Sequence, residues 1–206
     1  MRFLFLTGTT FLNRATEFGG VNDLYDLSLD PAYGRFLGYT YEEIESCFSE
    51  FICRACTVLG MEREKLLEEL TKNYGGFCFD EKAESKVFAP WSILSFFLSP
   101  QLGFKPYWIE SGFQSSTLMQ YLKSHSLRNC GECGNDKTLL LSSLCGSSDY
   151  DSISDLALLT QAGYLTIKAV KYTDIVYLDY PNLEARGGLS KLQSADKQKR
   201  GAKILS

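Results

Sequence analysis

The stretch from Leu158 to Glu184, LLTQAGYLTIKAVKYTDIVYLDYPNLE, decides how the rest of the chain is read. Leu158, Leu159 and Ala162 complete the apolar face of a helix, and Gly163 stands where a left-handed cap costs least. Tyr164 to Ala169 alternates, with Leu165, Ile167 and Ala169 on one side and Tyr164, Thr166 and Lys168 on the other. Ile175 to Tyr180 is rich in β-branched and aromatic residues, as strands are. The short polar Lys171 to Asp174 predicts a hairpin between the two runs. Pro181 has no N–H for a ladder and ends the second strand. A helix followed by a two-stranded hairpin is the tail of a winged-helix module, and such a hairpin needs helices to pack on.

Working outward, 206 residues allow one domain or two small ones. With 45% hydrophobic and 22% charged residues the composition is that of a globular protein with a core. A net charge of −4 speaks against a dedicated nucleic-acid binder, although the mean hides local patches. No run approaches the ~18 apolar residues of a membrane span. Met1 to Leu6 is too short an apolar core for a signal peptide. Seven cysteines without a secretory signal predict a reducing, cytoplasmic setting.

Arg2 to Leu6 reads as a strand buried on both faces of a parallel sheet. Such a strand needs partners reached through helical crossovers, and none follows. The expectation is a C-terminal portion of something longer. Thr40-Tyr41-Glu42-Glu43 predicts a capping box. The helix behind it carries Ile44, Phe48, Phe51, Ala55 and Val58 at helical spacing and ends at Gly60. Met61 to Tyr74 predicts a second helix, with Leu66, Leu67, Leu70 and Tyr74 on one face. Gly75-Gly76 breaks it. Phe77 to Phe79 predicts a short strand, Asp80 to Lys86 a charged turn, and Val87 to Pro90 an extended segment with Pro90 in the first turn of a helix through Leu98. Ser115 to His125 predicts another helix with Leu118 and Leu122 inward, and Thr138 to Leu141 a short strand. Ser152 is the expected cap of a helix from Ile153 to Ala162. From Gly187 onward five basic residues face one acid without an aromatic, which predicts a disordered basic tail, or a basic arm for nucleic acid.

Several blocks then come in a familiar order. They are Phe5-Leu6-Thr7-Gly8, Phe18-Gly19-Gly20-Val21-Asn22-Asp23-Leu24, Leu29-Asp30-Pro31-Ala32-Tyr33 and Gly38-Tyr39-Thr40-Tyr41-Glu42-Glu43. Asn73-Tyr74-Gly75-Gly76-Phe77, Val87-Phe88-Ala89-Pro90-Trp91-Ser92-Ile93-Leu94 and Lys105-Pro106-Tyr107-Trp108 follow, then Gln161 to Lys168 and Tyr180-Pro181-Asn182-Leu183-Glu184. Over about residues 3 to 186 the chain resembles the AAA-ATPase-like proteins that carry a C-terminal PD-(D/E)XK nuclease-superfamily domain. The resemblance implies an α+β, mostly helical fold. Residues 1–80 would be the last ATPase-core strand plus a helical lid, 87–186 a winged-helix-like domain with a two-stranded wing, and 187–206 the tail. It also implies a P-loop core before this region and a nuclease-like domain after it as partners, with ATP and Mg²⁺ bound by the full-length family. A truncated or frameshifted reading frame is the expected explanation for both ends.

The resemblance places Thr7, Thr9, Thr10 and Arg14 near the γ-phosphate of a nucleotide, as sensor-type residues. A phosphate cradle of the form G-x-x-x-x-G-K-[ST] does not occur. No cofactor or catalytic set is therefore expected in this chain alone. Ile175 to Asp179 imitates a Walker B strand but also fits a wing strand. Cys53-x-x-Cys56 and Cys130-x-x-Cys133 suggest a thiolate zinc site, against ordinary packing of the first pair on its helix. His125 lacks a nucleophile turn to serve. Glu84-Ser85-Lys86 imitates a nuclease E-x-K but lies in a charged turn. Trp91, Trp108, Tyr107, Phe88, Phe96 and Phe97 read as core packing, or as a stacking platform for bases. The two functional expectations are a region coupling the nucleotide state of a P-loop core to an effector domain, without catalysis of its own, and a stand-alone winged-helix DNA-binding module.

Overall fold

The computed structural model of the chain describes residues 25–112, 116–125, 127, 137–145 and 153–204. It is an α+β fold with nine α-helices and a small antiparallel sheet among the described residues. The helices are α1 Tyr41–Cys47, α2 Ser49–Leu59, α3 Arg63–Tyr74, α4 Pro90–Leu98, α5 Tyr107–Glu110, α6 Ser116–Ser124, α7 Leu141–Cys145, α8 Asp155–Gln161 and α9 Leu183–Ile204. The strands are β1 Thr138–Leu140, β2 Thr166–Lys171 and β3 Ile175–Asp179, in the order β1-β3-β2. No helix among the described residues is long and apolar enough to cross a membrane.

The helical half begins as its sequence predicts. Thr40 accepts from the Glu43 amide at 3.2 Å, and the Glu43 carboxylate accepts from the Thr40 amide at 2.8 Å, which closes the capping box. The single helix expected behind it is two, because the backbone turns at Phe48 (φ −109°, ψ 18°). The inward stripe is accordingly Ile44, Ile52 and Ala55, while Phe51 and Val58, expected inside, stand 43% and 48% exposed. In α3 the expected Leu66, Leu67, Leu70 and Tyr74 are all buried. Pro90 opens α4, where its missing N–H would have had no helical partner. The strand expected at Phe77 to Phe79 reduces to one antiparallel bridge, Phe77 to Val87, and a second bridge joins Tyr39 to Phe88.

The hairpin turn lies at 172–174, as expected from its polar sequence. Gly163 has φ +82°, the left-handed geometry its position after α8 calls for. The alternation expected in the first strand does not hold. Register passes from Ile167 opposite Leu178 to Ala169 opposite Tyr177, so Lys168 is the extra residue of a β-bulge. Tyr164, Leu165, Thr166 and Ile167 are all buried, because the segment is covered on both sides. The cap of α8 is Ser154, whose oxygen accepts from the Ala157 amide at 3.1 Å. The expected cap, Ser152, lies outside the described residues.

Two apolar clusters organise the molecule. One gathers α1 to α4, with Phe88, Phe96 and Phe97 inside it. The other joins Cys78, α6 to α8, the sheet and the first half of α9. Cys78 thus belongs with the sheet, and α4 with the helical half, so the cores do not divide at the expected 80/87 boundary. The segment expected to be a disordered tail from Gly187 continues α9, which runs for about 33 Å at 1.5 Å per residue. Ala185, Leu189 and Leu192 recur at helical spacing on its buried face. Gly188 lets it approach α5, since a Cβ there would lie 2.2 Å from Ile109 Cδ1.

Candidate functional site

The chain's described polar chemistry concentrates where β3 runs into α9. Pro181 ends β3, and Asn182 caps α9, its Oδ1 accepting from the Ala185 amide at 2.9 Å. The same side chain reaches the other way and donates from Nδ2 to the Gly75 carbonyl at 2.9 Å, just past the end of α3. One buried amide therefore stitches the end of α3 to the start of α9. Gly76 makes this approach feasible. It has φ +82°, and a Cβ there would stand 2.5 Å from the Pro181 carbonyl oxygen.

Glu184, two residues on, is 5% exposed. Its Oε2 accepts from Ser92 Oγ of α4 and its Oε1 from the Trp108 amide of α5, each at 2.7 Å. The Trp108 amide is among the donors a helix's first turn leaves without an internal acceptor. Burial pushes the Glu184 carboxyl above its ordinary range. The Ser92 and Trp108 hydrogen bonds pull against this, and the Glu110 charge adds to it. Tyr74 and Tyr107 close the surroundings, their hydroxyls donating to the Lys105 and Gly103 carbonyls at 2.8 and 2.9 Å. Burial raises both phenols. The blocks Asn73 to Phe77, Val87 to Leu94, Lys105 to Trp108 and Tyr180 to Glu184, distant in sequence, thus converge on one junction.

A second buried carboxylate holds the Asp80 to Lys86 turn. Asp80 is fully buried. Its Oδ1 accepts from the Lys82 and Glu84 amides at 3.0 and 3.1 Å, and its Oδ2 from the Ser85 amide at 2.8 Å and from Cys78 Sγ at 3.5 Å. Burial is the largest single influence and raises this carboxyl. The four hydrogen bonds together overcome it and hold the group below the ordinary range. Glu84 and Ser85 are thereby explained as a turn built on Asp80. Lys86 donates instead to the Ile167 carbonyl at 3.0 Å.

Thr7, Thr9, Thr10 and Arg14, and the strand Arg2 to Leu6, lie outside the described residues, as do Cys130 and Cys133. Cys53 and Cys56 sit on α2, and no cluster of metal-ligating side chains occurs among the described residues. Asp179, the carboxylate of the Walker-like strand, pairs with Lys137 at 2.8 Å. His125 stacks on Tyr121, with centroids 4.5 Å apart. Of the aromatic group, Phe88, Phe96 and Phe97 are core, whereas Trp91 is 53% exposed and Trp108 packs against Tyr164. Helix α8 carries no Lys or Arg and buries Ala157, Leu158 and Leu159. Sequence reasoning passed over Asn182, Glu184 and Asp80. A signal existed for the first, an Asn followed by an acidic first turn and by Ala185, Leu189 and Leu192 at helical spacing.

No family model matches this sequence, and no solved structure matches it. A protein of Azotobacter chroococcum mcd 1, described as "Uncharacterized protein in vnfD 5'region", is 29% identical over 194 residues. The aligned part is 93% of this chain and 34% of that protein. The chain thus spans about a third of the length of the curated relative it matches.

Proposed function

We propose that this chain is the coupling region of a longer AAA-ATPase-like protein. Its α1 to α3 part would serve as the helical lid, and residues 87–186, with α4 to α8 and the β2–β3 hairpin, as the winged-helix-like domain. In this reading the nucleotide state of a P-loop core moves the lid, and the junction of Asn182 and Glu184 passes that motion to α9 and whatever effector domain follows. The chain itself performs no catalysis. The observation that carries the proposal is the convergence on Glu184 and Asn182 of α3, α4, α5 and α9, tied by hydrogen bonds of 2.7 to 2.9 Å. A rigid polar tie between separate helices transmits a displacement, because packed interiors deform little. The sequence resemblance supports the assignment of parts, and the length of the Azotobacter relative leaves room for further domains.

Two measurements test it. The isolated 206-residue chain with Mg-ATP is expected to show no turnover, and measurable hydrolysis overturns the proposal. In the longer Azotobacter protein, nucleotide is expected to change hydrogen exchange in the segment matching α9. Alanine at the position matching Glu184 is expected to abolish that change while leaving nucleotide binding intact. Nucleotide-insensitive exchange in that segment also overturns the proposal.

A further inference from the structure

The corner where β3 ends is basic, in a chain whose net charge is −4. The bulge at Lys168 turns this side chain out of the ladder, and its ammonium donates to the Pro181 carbonyl at 3.4 Å. Lys86 approaches along the same edge, donating to the Ile167 carbonyl. On the neighbouring Tyr180, the Lys137 ammonium lies 4.5 Å from the ring centroid and the Arg186 guanidinium 6.0 Å. Lys137, Lys168 and Arg186 therefore gather at Tyr180-Pro181, and the Lys86 charge is felt at Lys168. One carboxylate, Asp179, stands among them and is engaged by Lys137. Lys86, Lys168 and Arg186 are exposed, and among the described residues none of the three has an ion-pair partner. Burial of the Lys168 ammonium end, and then the Lys86 charge beside it, hold its proton less firmly than usual, with Asp179 opposing. Several like charges set against one carboxylate are a cost to the fold that a bound polyanion would relieve.

We infer that this corner, where Lys86, Lys168 and Arg186 stand exposed beside Tyr180-Pro181, binds the phosphodiester backbone of nucleic acid. The three exposed cations lie on separate elements, Lys86 after a turn, Lys168 in the bulge and Arg186 in the first turn of α9, while Lys137 is largely buried and paired with Asp179. That spacing suits an extended chain of phosphates, whereas a small anion would need them to converge on one point. It differs from major-groove reading by α8, which offers no basic side chain, and its recognition is of backbone and so indifferent to base sequence. It goes beyond the coupling reading and stands without it.

The test is fluorescence anisotropy of the full chain with a labelled oligonucleotide, single-stranded in one arm and duplex in the other. With three phosphate contacts, raising salt from about 50 to about 200 mM is expected to weaken duplex binding about 40-fold, and single-strand binding somewhat less. The K86Q/K168Q double variant, whose altered side chains are exposed, is expected to keep its melting temperature and to reduce the duplex salt slope by about 2. R186Q is expected to reduce it by about 1, K86R/K168R to retain it, and K65Q/K72Q on α3 to leave it unchanged. Absence of saturable binding at low salt in both arms overturns the inference. So does binding unaffected by K86Q/K168Q, equal competition by polyglutamate, or displacement by equimolar pyrophosphate, which marks a small-anion pocket.

Discussion

Asp80 and Glu184 are both buried carboxylates, yet their surroundings push them in opposite directions. Asp80 accepts four hydrogen bonds, three from backbone amides of its own turn. Glu184 accepts two, from elements far away in sequence. The first carboxyl is held below its ordinary range and the second above it. Each group loses its hydration on burial, and the number of donors decides whether the ion is still favoured. The difference separates two jobs: Asp80 fixes a local turn as an ion, whereas Glu184 ties three helices together at the cost of an incompletely compensated charge.

The severest challenge to this contrast is Asp80→Ala. It leaves the Lys82, Glu84 and Ser85 amides without their acceptor, and Ser85 is itself buried. Leaving one buried donor unsatisfied costs about 1 to 3 kcal/mol, so the expected loss is about 3 kcal/mol or more in urea unfolding. A loss under about 1 kcal/mol would mean the turn does not depend on the carboxylate. Gly76→Ala attacks the other region through its backbone. It forces a left-handed φ on alanine and drives a Cβ to 2.5 Å from the Pro181 carbonyl. About 2 kcal/mol is expected, with the amides of α9 losing hydrogen-exchange protection before those of α2.

Glu184 sharpens the comparison through pH. Glu184→Ala is expected to cost about 2 kcal/mol by orphaning Ser92 Oγ and the Trp108 amide. Glu184→Gln keeps an acceptor and removes the charge, so the cost at neutral pH is under about 1 kcal/mol. The signs follow from linkage. The raised Glu184 carboxyl contributes stability that is complete below its unfolded value of 4.5 and is lost as pH rises through the higher folded value. The lowered Asp80 carboxyl contributes stability present above its unfolded value of 3.8 and lost as pH falls through the lower folded value. Melting temperature against pH is therefore expected to lose its decline above 4.5 in Glu184→Gln and its acid limb in Asp80→Asn. Interchanged effects would refute the contrast.

The two regions also differ in how readily the sequence discloses them. The helical half was legible because each of its signals is local. The Thr40 box, the Leu66-Leu67-Leu70-Tyr74 face and Pro90 lie within one or two turns of what they act on. The hairpin and Gly163 were legible for the same reason. The break at Phe48 carries no Gly or Pro to announce it, so Phe51 and Val58 were assigned to the wrong face. The junction was illegible because its partners are remote: Asn182 meets Gly75, and Glu184 meets Ser92 and Trp108. Nothing in YPNLE states which distant donors will be brought to it. The basic composition after Gly187 also masked the Ala185, Leu189, Leu192 spacing, although it is this spacing that buries the first half of α9.

The smallest expected effect uses a third carboxylate as reference. Glu43 accepts from the Thr40 amide at 2.8 Å, as Glu184 accepts from Trp108, but across three residues and from an exposed side chain, although Thr40 itself is buried. Thr40→Ala removes the reciprocal bond from the Glu43 amide and should cost about 1 kcal/mol. Water replaces a lost partner more readily beside the exposed Glu43 than in the junction, so the loss should not spread to α9. If Thr40→Ala proved as costly as Glu184→Ala, burial would not be what sets the two carboxylates apart. The contrast between a local cap and a long-range tie would then rest on hydrogen-bond number alone.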